Sequence, residues 1–446
     1  MFNAAQSMTL KVLGIGALAL LMLIPLVQVQ SLIAERAGLR DQAVAQIASR
    51  WGQAQTVGGP VLSVDYLQRF KTDQGWSERR VTRQLLPAQL DFKVNMETDR
   101  RAYGIYSTPV YVANIGLSAR FDAADLAELA QAAGSSLERR ELRLPLADFG
   151  GLREVRALRI NGEERVLENG QPTLGYAAAF VSLTPAQLQA PLQLELEFNI
   201  AGTERIQFLP LGRTTTLKLS APWGDPSFIG RFIPVRRTVE AERFEAEWQV
   251  LELNRGYGRQ WDENEQNNSA VTASAFGVAL YEPVSVYQRN ERAGKYGLLF
   301  IGLSFVAFFL FEVLRKLRVH PVQYLLIGIA LCTFYVLLLA LSEQIGFGPA
   351  YALAATALAL IVGGYAAAVL STRRAGLLLG GSMAAVYALL YGLVISEQYS
   401  LLIGALALLA VVALLMYLTR RVDWYGESRR PAAAVDDIAN AMPPPR

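Results

Sequence analysis

Residues 324–341 read YLLIGIALCTFYVLLLAL, eighteen positions without a charged side chain. A helix needs about 20 mostly apolar residues to cross the hydrocarbon of a bilayer, so this run reads as a membrane span. Four more runs after residue 294 satisfy the same rule: 296–314, 349–370, 375–395 and 401–418. A sixth, 12–29, lies near the N-terminus, with Pro25 close to its end. Its competing reading is a cleaved signal peptide. Gln28-Val29-Gln30-Ser31 offers no small-x-small cleavage site, however, and residues 32–51 continue in helix-compatible composition, so a retained anchor is expected.

The remainder of the chain is a different material. Residues 31–294 hold 30 of the 42 Lys and Arg and 32 of the 39 Asp and Glu, although the whole chain of 446 residues is 52% hydrophobic. The expected organisation is a stub and first span at 1–30, a soluble domain at 31–294, spans two to six at 295–419, and a cytoplasmic, largely disordered tail at 420–446. In that tail, Trp424 and Tyr425 beside Arg420 and Arg421 suit an interfacial anchor. Cationic loops stay on the cytoplasmic side. Arg315, Lys316 and Arg318 fill one short connection, Arg373 and Arg374 another, and Arg420, Arg421, Arg429 and Arg430 follow the last span, whereas 342–348 and 396–400 contain no Lys or Arg. Six spans then put both termini inside and 31–294 outside, in a bacterium the periplasm. A net charge of +3 without a basic block argues against a nucleic-acid partner.

The soluble domain reads as β-rich, mainly antiparallel and sandwich-like. Short segments at 61–67, 81–94, 104–121, 192–200, 205–211, 214–219, 232–239, 244–253 and 271–280 alternate apolar with polar residues and are punctuated by Gly, Pro or Asn. Asn161-Gly162 is a hairpin signal, 122–133 is the clearest helix, and Thr184-Pro185 opens one helical turn. Two look-alike stretches, 103–111 and 276–287, raise the question of a duplicated subdomain.

Little catalytic chemistry is available. The only histidine, His320, and the only cysteine, Cys332, both lie outside the soluble domain. That domain therefore has no Ser-His-Asp triad, no Cys-His pair and no His- or Cys-ligated zinc. The acidic run Asp262-Glu263-Asn264-Glu265 lacks the Gly and the distal acid of a calcium loop. No metal or cofactor is expected. The Arg-rich pieces 139–143, 153–156 and 231–237 interleave with acids, which suits solvated strand faces; a basic groove for an anionic lipid or glycan requires them on one surface.

In the expected membrane region, Glu312 is the only acid inside a span, and Arg315 and Lys316 at i+3 and i+4 suit a structural ion pair. A tripeptide recurs at the outer ends of the third and fifth spans, Ser342-Glu343-Gln344 and Ser396-Glu397-Gln398. Negative charge at a helix C-terminus opposes the macrodipole, so the two copies read either as wet helix ends or as a paired polar platform. A platform needs those spans to be neighbours. Gly376 and Gly380 form a small-xxx-small face that gives the fifth span a means of close approach, within the bundle or between copies of the chain.

These residues carry a resemblance. Tyr287-Gln288, Glu291-Arg292-Ala293, Lys295-Tyr296, Phe308-Phe309-Leu310-Phe311-Glu312, Val319-His320-Pro321-Val322-Gln323-Tyr324 and Ser342-Glu343 are similar to the inner-membrane CreD family. Upstream, Gly58-Gly59-Pro60, Gly104-Ile105-Tyr106, Pro226-Ser227-Phe228 and Trp248 agree, as do Asp423-Trp424-Tyr425 near the end. The resemblance implies a cell-envelope integrity protein, produced in a response to envelope stress and β-lactam exposure, and it brings no established enzymatic activity or catalytic residues. The expected function is therefore non-enzymatic: a multi-pass inner-membrane protein whose outer domain binds an envelope glycan, a lipid-linked precursor or another periplasmic or membrane protein. Membrane lipids surround the bundle, and a homo-oligomer is left open. The alternative is an enzyme or carrier acting on a lipid-linked envelope precursor at the outer mouth, with Glu343 and Glu397 converging on a cavity. An ion-coupled transporter is disfavoured by the scarcity of mid-membrane charge.

Overall fold

The structure is a computed structural model and describes residues 4–72, 75–133, 137–263, 265–280, 286–315, 319–369, 372–396 and 399–420. The chain forms two compact units, residues 40–283 and the combination of 1–39 with 284–446. Its helices are α1 (Ala4–Leu21), α2 (Leu23–Trp51), α3 (Ala123–Ala133), α4 (Glu265–Ala273), α5 (Val286–Lys295), α6 (Gly297–Arg315), α7 (Pro321–Ile345), α8 (Phe347–Val369), α9 (Arg373–Ile395) and α10 (Ser400–Thr419).

In the unit of residues 40–283, the described residues make two sheets. The first has ten strands, with the path Pro226–Gly230, Phe276–Leu280, Arg205–Phe208, Gln55–Val57, Leu137–Leu146, Val61–Thr72, Gly75–Leu85 and Gln260–Asp262, and with Ala177–Ser182 and Glu168–Asn169 branching from Leu137–Leu146. The second has eight: Arg236–Val239, Phe244–Leu251, Thr214–Ala221, Gln89–Tyr103, Tyr106–Phe121, Leu192–Thr203, Leu152–Ile160 and Glu163–Glu164. Pairing is antiparallel except between Gln55–Val57 and Arg205–Phe208, and between Thr214–Ala221 and Gln89–Tyr103. Alternate residues of Leu192–Thr203 are buried up to Ile200, as a half-exposed strand requires, and its last four residues are all buried. The inward faces meet through aromatic contacts, Phe92 to Phe208 at 5.0 Å, Phe228 to Trp248 at 5.6 Å and Trp248 to Phe276 at 5.9 Å between ring centroids. The expected β-sandwich, mainly antiparallel, is present.

Local details depart from expectation for physical reasons. The segment 81–94 is two strands in different sheets, because Pro87 has no N–H to continue a ladder. In 271–280, residues 271–273 are helical: α4 drives Val271 into the core, fully buried, and only Phe276–Leu280 is strand. Asn161 and Gly162 both have positive φ, 50° and 82°, and make the expected hairpin. Of the two look-alike stretches, 103–111 holds a hairpin turn and the start of the strand Tyr106–Phe121 in the eight-stranded sheet, whereas 276–287 begins with the strand Phe276–Leu280 of the ten-stranded one and its residues 281–285 lie outside the described residues. They are not equivalent, so no duplicated subdomain follows from them. The Arg-rich piece 139–143 is also not a solvated face throughout. Glu141 and Arg143 are 5% and 4% exposed and pair at 2.9 Å.

The second unit contains the apolar helices. Among the described residues, five regions are long and apolar enough to cross a membrane, or six if the pair α5 and α6, bent by 48° at Tyr296, is one span. The first region is a long one, Lys11–Trp51, interrupted at Met22. Pro25, lacking an N–H, cannot close the helical bond to Leu21. Met22, Leu26, Val29 and Ile33 form its buried stripe. A methyl group added at Gly328 of α7 would lie 2.7 Å from the Met22 sulfur, and one at Gly297 of α6 would lie 2.8 Å from Leu26. The first span is thus packed into the bundle.

Candidate functional site

Three buried polar side chains of the bundle lie at the two ends of α7, Glu312 at its start and Asn290 and Ser342 at its far end. At its start, the sequence Val319-His320-Pro321-Val322-Gln323-Tyr324 makes a helix cap. Pro321 occupies the first turn, where its missing N–H costs nothing. His320 Nδ1 accepts from the Val322 N–H at 3.3 Å, and the His320 N–H donates to Gln323 Oε1 at 3.2 Å. The same segment closes over Glu312, which is 4% exposed. One carboxylate oxygen accepts from the Val319 N–H at 2.8 Å and pairs with Lys11, and the other accepts from the Tyr324 hydroxyl at 2.9 Å. Lys11 also donates to the Val319 carbonyl at 3.1 Å. Arg315 and Lys316, the local partners expected for Glu312, have side chains outside the described residues. A partner from α1 was not foreseen, and the one available signal was a lone Lys at the edge of the first span.

At the other end of α7, Gly346 adopts φ +79° and its N–H closes on the Ser342 carbonyl at 3.1 Å. Here α5 lies against α7. Asn290 donates through Nδ2 to Ser342 Oγ at 2.8 Å and to its own helix at Val286 O, 2.9 Å, with Asn290 and Ser342 each 1% exposed. The Tyr287 hydroxyl donates to Glu343 Oε1 at 3.0 Å. A donor therefore meets the negative charge at the helix C-terminus, where the macrodipole alone disfavours it. Gln344 is exposed and Ser396 half-buried, whereas Glu397 and Gln398 lie outside the described residues. Arg292 of α5 reaches the Val394 carbonyl of α9 at 3.5 Å, and Arg289 stands 5.9 Å over the Phe347 ring.

The third and fifth spans do touch, through Phe334 and Tyr387 at 4.5 Å between centroids. The small-residue face is used elsewhere. A methyl group added at Gly376 would lie 2.5 Å from Ala367 Cβ and 2.6 Å from the Gly363 carbonyl, and one at Gly380 would lie 3.1 Å from the Ala359 carbonyl. Gly376 and Gly380 thus seat α9 on α8, the fourth span, not the third. Tyr351 of α8 adds a bond to the Tyr387 carbonyl at 2.6 Å.

In the sandwich unit, Asp262 is taken by Arg83 at 2.7 Å, a contact that raises the Arg83 pKa. Asn264 and the side chain of Glu265 lie outside the described residues. Burial pulls the Arg255 guanidinium below its ordinary value, and its Nη1 donates to the Pro210 carbonyl at 2.7 Å.

Comparison with known proteins agrees with these motifs. The family model for inner membrane protein CreD matches residues 7–425. Inner membrane protein CreD of Escherichia coli (strain K12) is 31% identical over 426 residues, covering 94% of each chain. The family match spans the buried Glu312 cluster, the α5–α7 contacts and both sheets, and the chain therefore belongs to the CreD family of multi-pass inner membrane proteins.

Proposed function

We propose that this protein supports cell-envelope integrity without being an enzyme, with both termini in the cytoplasm and the sandwich domain in the periplasm, where it binds an envelope component. The observation that carries the reading is how the bundle spends its polar groups. Both oxygens of Glu312 are engaged by Lys11, Val319 and Tyr324, while Ser342 and Glu343 are engaged by Asn290 and Tyr287. These contacts tie helices together, the role of polar residues in a packed membrane bundle. The sandwich unit, residues 40–283, carries an open groove of about 560 Å³ suited to recognition.

The test is complementation of a strain lacking the gene, challenged with a cell-wall-active β-lactam. The full chain and its Glu343→Gln variant should restore tolerance, while a chain without residues 40–283 should not. Loss of rescue by Glu343→Gln at normal protein level, with Tyr287→Phe still active, would favour an acid–base role at the outer mouth instead.

A further inference from the structure

The strand register lines up polar side chains across the outward face of the eight-stranded sheet. Thr238, Glu245, Ser220, Asn95, Asn114 and Asn199 are successive cross-strand neighbours. One rung along, Lys93 stands beside Lys218 in the parallel pair, and its neighbour on the other side is Gly116. Like charges side by side in a sheet are unfavourable. Glycine inside a strand weakens it and often marks a close approach by a ligand. At Gly116 neither packing nor backbone demands it: a methyl group there would meet only Lys93, no nearer than 3.8 Å, and its φ is not positive. Two local rules are broken at one place, the pattern expected where function overrides stability.

The open groove of about 560 Å³ lies over Lys93, Lys218, Asn95 and Asn114, with Gly116 beside it as the cross-strand neighbour of Lys93. Lys93, Lys218, Arg236 and Arg237 line it with Glu245 and Glu247. Glu247 is held by Lys218 at 3.5 Å and Arg236 at 3.0 Å, and Glu245 by Arg243, so among the described residues no carboxylate pairs with Lys93.

We infer that this face binds an anionic glycan, a sugar chain bearing carboxylates, with its acids on Lys93 and Lys218 and a ring seated over Gly116. Each asparagine offers both donors and an acceptor, matching hydroxyl and amide groups that do the same. Within a rung the side chains recur at the strand spacing of about 4.8 Å, comparable with the length of one sugar residue. An extended acidic peptide would instead seek a sheet edge, where its backbone finds partners. The site rests on the proposed periplasmic placement only for the source of the glycan.

The test uses the full chain in zwitterionic nanodiscs with tetragalacturonic acid as probe, and maltotetraose and hexa-aspartate for comparison. Tetragalacturonic acid should bind saturably and more tightly than either. Joint replacement Lys93→Met and Lys218→Met should weaken it by about ten-fold or more, since bonds to charged groups are being lost. Gly116→Val should weaken it without lowering the melting temperature, and Lys71→Met, an exposed lysine outside the groove, should change nothing. Absence of binding, indifference to the lysine pair and Gly116, or equal binding of hexa-aspartate would overturn the inference. Because the readout is made in vitro, such a failure is separable from the complementation result, which tests the envelope role alone.

Discussion

Tyr324, Lys11 and Glu312 meet across three helices, and each contact can be removed singly. Tyr324→Phe deletes one hydrogen bond to a buried carboxylate and should lower the stability of the solubilised protein by about 0.6–2 kcal/mol, the range for polar contacts between membrane helices. Lys11→Met should cost more than Tyr324→Phe, and pairing it with Glu312→Gln should recover part of the loss, because the uncompensated charge is then gone. Thermal melting in detergent reads all three. In the sandwich, Arg143→Met leaves the buried Glu141 with only the exposed Arg139 at 3.4 Å and should cost about 3 kcal/mol or somewhat less, whereas Arg143→Met with Glu141→Leu should be close to wild type. The sequence revealed that Glu312 needed a partner but not which one. Helical spacing points only to neighbours such as Arg315 and Lys316, while Lys11 is 301 positions away. Glu141 and Arg143 were equally opaque: alternation with acids looks the same on a wet face and on one that other segments cover.

Between elements, the α8–α9 contact depends on glycine at defined positions. Gly376→Val would drive atoms into Ala367 and the Gly363 carbonyl, whereas Gly381→Val on the same helix meets nothing within 4 Å. The first variant should lower the melting temperature by several degrees or abolish folding, and the second should melt with wild type; a comparable loss in both would contradict the packing described here. Apolar runs made the spans legible, since length and absence of charge are local properties. The helix α5 was not legible, because its polar composition carries no span signal. Strands were partly legible. Alternation identified residues 192–200 of the strand Leu192–Thr203, while Pro87 and the Val271 helix show where a β-rich stretch is divided or overridden by the core it must reach.

At the scale of the whole molecule, pairing that is distant in sequence fixes what the outer face presents. Asn95 meets Ser220 and Asp91 meets Thr216 across 125 residues, and only this register brings Lys93 beside Lys218. No local pattern announces it, so the groove stayed hidden while the fold class did not. Neither unit is expected to need metal: a chelator should leave the melting of the full chain unchanged, and a drop of several degrees would revive the 262–265 loop as a calcium site. The central claim is that the sandwich domain faces the periplasm while both termini stay inside. Alkaline phosphatase fusions, active only outside the cytoplasm, measure this directly. The account predicts high activity for a fusion after residue 150 and silence for fusions after residues 374 and 420. Activity after 374 with silence after 150 would contradict it.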